Sequence, residues 1–272
     1  MALTLPEPGS RLTEPLRQLT EPAFRMSALI GHNTTLMLRE PGPVISRLLQ
    51  PLVLIVLMHP LYAAALAAEG PQAGTTQLVT GMLVMFSLLA LSVVGTGIMT
   101  ERAWKTWDRL RSTPARPAEL LMAKAVPALV LLIVLQAEVI GFGMAVFGLD
   151  VSDPALLALA VVAWGLALLG IGMTLGAVLR SQGELNVAYD IGGILFSALG
   201  GALIPRAELP GWARAIAPAS PGYWAMGALR SALHGQAGAT VRDSGVLAVI
   251  ALATCALAAC RMSRGTPRSR LL

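Results

Sequence analysis

Charge is scarce in this sequence. Charged residues make up 13% of the 272 while 55% are hydrophobic, against about a quarter charged in ordinary soluble domains. A soluble fold of this size needs polar faces that these residues do not supply. Lysine occurs only at Lys105 and Lys124. A phosphate-cradling loop needs Gly-Lys followed by Ser or Thr, but Trp104 precedes one lysine and Ala123 the other. No nucleotide site of the chain's own is expected. His32, His59 and His234 are scattered, with no His-Glu-x-x-His pattern and no paired-cysteine spacing, so no metal ligands are assigned. The two cysteines, Cys255 and Cys260, stand five apart in one apolar run, a poor geometry for a disulfide, and are read as free thiols. No Gly-x-Ser-x-Gly elbow is present, and no catalytic residue is assigned.

Apolar length is what the sequence does have. Six runs are long and uncharged enough to be read as membrane spans: Val44–Ala68, Leu78–Met99, Val126–Phe147, Ala155–Leu179, Leu185–Ile204 and Gly245–Cys260, the last short and drawing on its flanks. Met1 to Glu40 holds four arginines and no early apolar core, so no cleavable signal is expected and the first span serves as its own insertion signal. The formal net charge is +5, and its distribution explains it. With six spans, all the Lys and Arg except Arg206, Arg214, Arg230 and Arg242 fall on one side. The positive-inside rule makes that side cytoplasmic and puts both termini there. The charge is topological, with no case for nucleic acid.

The expected class is therefore an all-α membrane protein of six spans. Residues 1–40 form a cytoplasmic arm, 41–262 the transmembrane domain and 263–272 a basic tail. Within the arm, Ala23–Arg39 alternates apolar and polar residues and reads as an amphipathic helix on the inner surface; a solvated tail is the alternative. Small residues recur four apart at Ala137, Gly141 and Ala145, at Gly172 and Gly176, and at Gly193, Ser197 and Gly201, as close helix packing in lipid favours. Pro205 to Gln236 is too polar to span and too apolar for an ordinary loop. Pro210, Pro218 and Pro221 cut it into two short helices, near Gly211–Ile216 and Gly222–His234, with Trp212, Tyr223 and Trp224 as interfacial anchors. A re-entrant pair on the outer face and a plain interfacial loop both fit.

Two features are candidates for function. Intramembrane ionisable groups usually face a cavity or a partner. Glu138, near Gln136, lies in the third span; Asp190, near Asn186, lies early in the fifth. A substrate path or proton relay is one reading; a hydrogen-bonded Glu138 and an Asp190 kept wet at the interface is the other. The second feature is Thr100 to Arg116, TERAWKTWDRLRSTPAR, the densest polar stretch in the chain, lying between the second and third spans. About three helical turns from Glu101, with arginines late, suit the helix dipole, and Pro114 and Pro117 end them. Trp104, Trp107, Leu110 and Arg111 share helical spacing, as in a helix that docks into a partner's groove. A cationic anchor on the lipid surface is the alternative.

The order of these pieces resembles the permease subunits of the ABC type-2 exporter family, in particular the daunorubicin-resistance-like drug exporters. The residues that carry the resemblance are Glu101-Arg102, Trp104-Lys105-Thr106-Trp107, Arg109-Leu110 and Pro114 after the second span, then Gly200-Gly201, Pro205, Leu209-Pro210-Gly211-Trp212, Pro218, Pro221, Tyr223 and Ala228-Leu229-Arg230, with Arg47 and Gln50-Pro51 opening the first span. Lys105 departs from the family's usual Gly. The resemblance implies a homodimeric permease in the bacterial inner membrane that joins two separate ATPase subunits. ATP and magnesium would be held by those partners and no cofactor by this chain. It also implies that Glu101, Arg102, Trp104, Lys105, Thr106, Trp107, Arg109 and Leu110 form the helix seated on the ATPase, and that the cargo is a hydrophobic drug or natural product. Glu138, Gln136, Gly200, Gly201 and Pro205 are the candidates for path and outer gate. Export of a polysaccharide or lipid-linked glycan, and an ATP-independent carrier or enzyme built on Glu138 and Asp190, are the alternatives.

Overall fold

The structure is a computed structural model; it describes residues 22–39, 41–92, 94–96, 99 and 117–263. All regular structure among them is helical. In chain order the α-helices are α1 Pro22–Arg39, α2 Pro41–Ala65, α3 Ala73–Leu89, α4 Pro117–Phe147, α5 Pro154–Val178, α6 Gln182–Leu199, α7 Gly211–Ile216, α8 Pro221–Leu233 and α9 Ala237–Ser263. Five helical stretches are long and apolar enough to cross a membrane: Val44–Ala65, Ala73–Thr96, Met122–Phe147, Pro154–Val178 and Ala237–Arg261.

Helix starts follow local chemistry. Asp153 caps α5 by accepting from the amides of Ala155 at 2.9 Å and Leu156 at 3.2 Å, and Pro154 takes the first position, where a missing N–H costs nothing. Ser181 caps α6 by accepting from Glu184 N at 3.1 Å, while the Glu184 carboxylate accepts from Arg180 N at 2.9 Å, a near relative of the capping box. Four apolar stretches differ from the expected bounds. α6 ends at Leu199 rather than Ile204, because Gly201 takes φ +83° and turns the chain. α9 begins at Ala237, eight residues before the expected span, with Thr240, Asp243 and Ser244 buried in its first turns. α4 begins at Pro117 rather than Val126 and carries Pro127 inside. α3 begins at Ala73 and takes in Thr75, Thr76, Gln77 and Thr80 as buried residues, with the Thr80 hydroxyl satisfied by Thr76 O at 2.6 Å.

Hydrogen bonds between elements sort the bundle into two ends. At one end Asn33 Nδ2 donates to Ala123 O at 3.2 Å, Arg47 to Ser92 Oγ at 3.2 Å and Gln182 Nε2 to Thr96 Oγ1 at 3.1 Å. At the other, Tyr62 meets Leu203, Gln72 meets Gly148 and Ser152 meets Leu233. There too His59 stacks on Phe147 with centroids 4.0 Å apart and bonds Thr75 Oγ1 at 3.1 Å. Each long helix thus runs from one end to the other, antiparallel to the next. α6 does the same, beginning beside Thr96 and ending against α3 and α8. Its 18 residues rise about 27 Å, close to the thickness of a bilayer core.

Packing is tightest around α3 and between α5 and α9. A Cβ on Gly170 would lie 2.3 Å from Thr254 Oγ1, and the Thr174 hydroxyl donates to Thr254 O at 2.7 Å. Tyr189 of α6 is buried over Gly95 and Gly172. Gly172 and Gly193 of the small-residue stripes face neighbouring helices, whereas Gly141 meets nothing within 4 Å. The opposite surfaces are apolar and open: Val53 and Leu57 on α2, Ile191 and Ile194 on α6, and Leu252, 73% exposed, on α9. Such an apolar girdle suits lipid, not water.

Candidate functional site

Glu101, Arg102, Trp104, Lys105, Thr106, Trp107, Arg109 and Leu110 lie outside the described residues. The structure describes what flanks them. The apolar stretch before the segment ends with Thr96 bonded to the start of α6. The helix after it, α4, is bonded near its start to α1 through Asn33. The described residues on either side of the segment thus lie at one end of the bundle, where α1 and the capped start of α6 also lie.

The expected gate residues Gly200, Gly201 and Pro205 do come together, in a turn wedged among α3, α6 and α8. Gly200 caps α6, its N–H bonded to Phe196 O at 3.0 Å. It touches α8 so closely that a Cβ would sit 2.6 Å from the carbonyl carbon of Gly222, and a Cβ on Gly222 would sit 2.6 Å from Phe196 O. Pro205 precedes a single 3₁₀ turn, Arg206–Glu208. Side chains from other elements hold the turn by its carbonyls. Gln77, 1% exposed, donates to Gly201 O at 2.8 Å and more weakly to Ala202 O at 3.4 Å. Tyr62 Oη donates to Leu203 O at 2.5 Å. Ser220 Oγ donates to Phe196 O at 2.7 Å and accepts from Gly222 N at 3.1 Å, capping α8. Arg206 donates to the carbonyls of Gly200 and Tyr223, with its guanidinium 3.8 Å from the centroid of the Tyr223 ring, a cation–π contact. Burial pushes the Arg206 guanidinium below its usual range, Arg230 adds to that, and Tyr223 and Asp243 oppose it.

Gln136 and Glu138 are not partners. Two residues apart on α4, they stand about 200° apart around the helix. Gln136 is 0% exposed and donates back to Leu132 O at 3.1 Å. Its Nε2 would be 3.5 Å from a Cβ on Gly165, so the amide lies against α5. Among the described residues Gln136 Oε1, Trp164 Nε1 and Glu138 Oε2 are buried without a hydrogen-bond partner. Asp190 and Asn186 are exposed. Gln136 thus lies on the bundle side of α4, and Trp164 of α5 is fully buried.

Sequence reasoning missed Gln77, Tyr62, Gly81, Trp164 and Gly222. A Cβ on Gly81 would lie 2.0 Å from Ala202 O, which makes α3 the seat of the turn. Gln77 reads as the end of a polar loop because Thr75 and Thr76 precede it. A tryptophan ten residues inside an apolar run, away from headgroup level, was the available signal for Trp164.

An all-helical bundle with five membrane-length apolar helices and an apolar outer surface defines a multi-pass membrane protein. The sequence pattern of the ABC-2 type transporter family matches residues 25–234, most of the chain and all of the turn just described. The chain belongs to that family, as a membrane permease component and not a nucleotide-binding subunit. No curated protein matches the sequence.

Proposed function

We propose that the chain is the permease half of an ATP-driven exporter that moves a hydrophobic drug or natural product outward, with two ABC ATPase subunits supplying the energy and a second copy of the chain completing the pore. α6 is the fifth of six crossings; both termini are cytoplasmic, in a bacterial inner membrane. Residues Glu101–Leu110 form the helix seated on the ATPase, α1 rests beside it, and the Gly200–Pro205 turn with α7 and α8 forms a re-entrant outer gate. The family match supports the permease role. What supports the coupling assignment is the place of the cationic segment in the chain, between Thr96 and α4, whose described residues lie at the end of the bundle where α1 and the start of α6 also gather. The apolar helices and the shortage of charge in the bundle favour greasy cargo. A lipid-linked glycan is the alternative cargo.

The test is reconstitution with the cognate ATPase in liposomes. With Arg109→Asp and Leu110→Asp together, ATP hydrolysis is expected to continue while export falls to background. Normal export in that variant removes the coupling assignment. Glu138 keeps a second reading open, because its Oε2 is buried without a partner among the described residues: a carrier that runs without ATP. Liposomes that hold the permease alone distinguish the two, since cargo uptake driven by a proton gradient without ATPase is expected only of the carrier.

A further inference from the structure

Beside the gate turn lies an open pocket with charged walls that no step of the export reading uses. It has a volume of about 280 Å³ and lies between the Arg206 turn, α8 and the first turns of α9, with Arg206, Gly227, Arg230, Ser231, His234 and Asp243 on its walls. Small-molecule sites typically run from about 300 Å³ upward, so this one suits a head group and not a whole hydrophobic drug.

Its charge is one-sided. Arg206 is held over Tyr223 and bonded to two backbone carbonyls, which fixes the guanidinium and leaves it a cation without a carboxylate at ion-pair distance among the described residues. Arg230, on α8, has no ion pair there either. Asp243, the acid of the cavity, is 7% exposed in its side chain and already receives Arg242 Nε at 2.9 Å. Its other oxygen fits against α8 because residue 227 is glycine: a Cβ there would lie 2.2 Å from Asp243 Oδ2. Two guanidinium groups on the walls against one carboxylate, itself paired with Arg242 outside the pocket, leave the site cationic. Arg230 also lowers the Arg206 guanidinium, as one cation does to another, though burial is the larger influence. An arginine nonetheless stays charged in proteins. Positioned guanidinium groups whose planar forks match tetrahedral oxyanions are how proteins hold phosphate. The Ser231 hydroxyl is already committed to Gly227 O at 2.7 Å and Thr240 Oγ1 at 3.0 Å, so the cations and His234 carry the recognition.

We propose that this cavity binds a phosphate group, free or at the head of an amphiphile, through Arg206 and Arg230. The site needs neither ATPase nor cargo movement, so it stands or falls apart from the export reading. The experiment uses the full chain purified in a maltoside detergent, followed by tryptophan fluorescence, since Trp224 packs edge-on to Tyr223 at 5.2 Å. One arm titrates inorganic phosphate; the other titrates dioctanoyl phosphatidic acid against uncharged dioctanoylglycerol. Saturable binding in either charged arm is expected; phosphatidic acid alone assigns a lipid head group, and phosphate binding assigns the free ion. Arg230→Gln should weaken that binding roughly tenfold or more, the usual worth of a charge-assisted hydrogen bond, while Arg214→Gln, exposed on α7, leaves it unchanged. Arg230→Lys keeps the charge and guards against a folding defect; it should bind at an intermediate level. No saturable binding in either arm, or wild-type affinity in both Arg230 variants, overturns the proposal.

Discussion

Replacing Gly81 with alanine tests whether α3 is the seat of the Gly200–Pro205 turn, the proposed gate. The new Cβ would stand 2.0 Å from Ala202 O, whereas carbon–oxygen contacts settle near about 3.3 Å, so the turn and α3 must part by roughly 1.3 Å. That movement acts directly on the bonds Gln77 makes to Gly201 O at 2.8 Å and Ala202 O at 3.4 Å. Overpacking of this kind costs about 1–3 kcal/mol, and a lost buried hydrogen bond adds about 1 kcal/mol. At about 2–4 °C per kcal/mol for a chain of this size, the thermal midpoint should fall by at least about 4 °C. The assay is unfolding of the purified permease in detergent, read by tryptophan fluorescence, with Gly141→Ala beside it. Gly141 has nothing within 4 Å, so there alanine should be neutral or slightly stabilising through helix propensity. Because Gly81 and Gln77 act on one turn, Gly81→Ala and Gln77→Leu should not add. A Gly81→Ala protein that melts with the wild type, or a strictly additive double variant, refutes the reasoning.

Two other substitutions probe the neighbouring contacts. Ser220→Ala removes both the cap of α8 and the bond to Phe196 O at 2.7 Å, and should cost about 1–2 kcal/mol, seen as a lower melting point with the helical signal unchanged. Gln136→Leu removes an amide whose Oε1 has no partner among the described residues, so stability should hold or rise; if the amide lines the cargo path, export in the reconstituted system should still fall several-fold.

The helices were legible because length and apolar content decide them. A run of more than twenty apolar residues has few alternatives in lipid, and α2 and α5 lie close to their expected bounds; α1 does so through its alternation, and α7 and α8 through the prolines that cut them out. The ends were harder to read, because what stops or extends a helix here is a distant partner. Gln77 is a helix residue since Gly201, 124 positions away, offers it a carbonyl. α9 reaches back to Ala237 since Asp243 finds room against Gly227. The small-residue stripes point to close packing in general but not to the place. Gly141, in the middle of one stripe, touches nothing, while Gly81 and Gly222, in none, are both packed against backbone too closely for a Cβ. Gly200 and Gly201 are marked by resemblance but fall inside the expected span, and the turn they make was not legible; nor were the side chains that clamp it, because each comes from a helix whose own pattern gives no hint of a second role. The residues expected to meet the ATPase lie outside the described residues, so their assignment still rests on spacing and on resemblance.

In the proposed cycle these facts make α3 the shaft of the machine. It is buried on nearly every side, which is unusual for a helix in a bilayer and means that it cannot shift without moving its neighbours. α3 itself ends at Leu89, with Ala90 as its C-cap, a rise of about 26 Å; the apolar stretch it opens, Ala73–Thr96, is 24 residues long. The chain enters the cationic segment just beyond it. At the far end Gln77 holds the turn by the backbone carbonyls of Gly201 and Ala202, bonds that follow the path of the chain whatever side chains the turn carries, and Gly81 packs against Ala202 O. We propose that a push on the segment reaches the turn along this stretch and α3, without passing through lipid-facing α2 or α9. Softening the far end, as Gly81→Ala does, should leave ATP hydrolysis intact and reduce export. Softening the near end, as Arg109→Asp with Leu110→Asp does, should give the same pair of readings. Agreement between two sites so far apart is what a single shaft requires. Loss of export from the near end alone would place the transmission elsewhere, through α4 or α6.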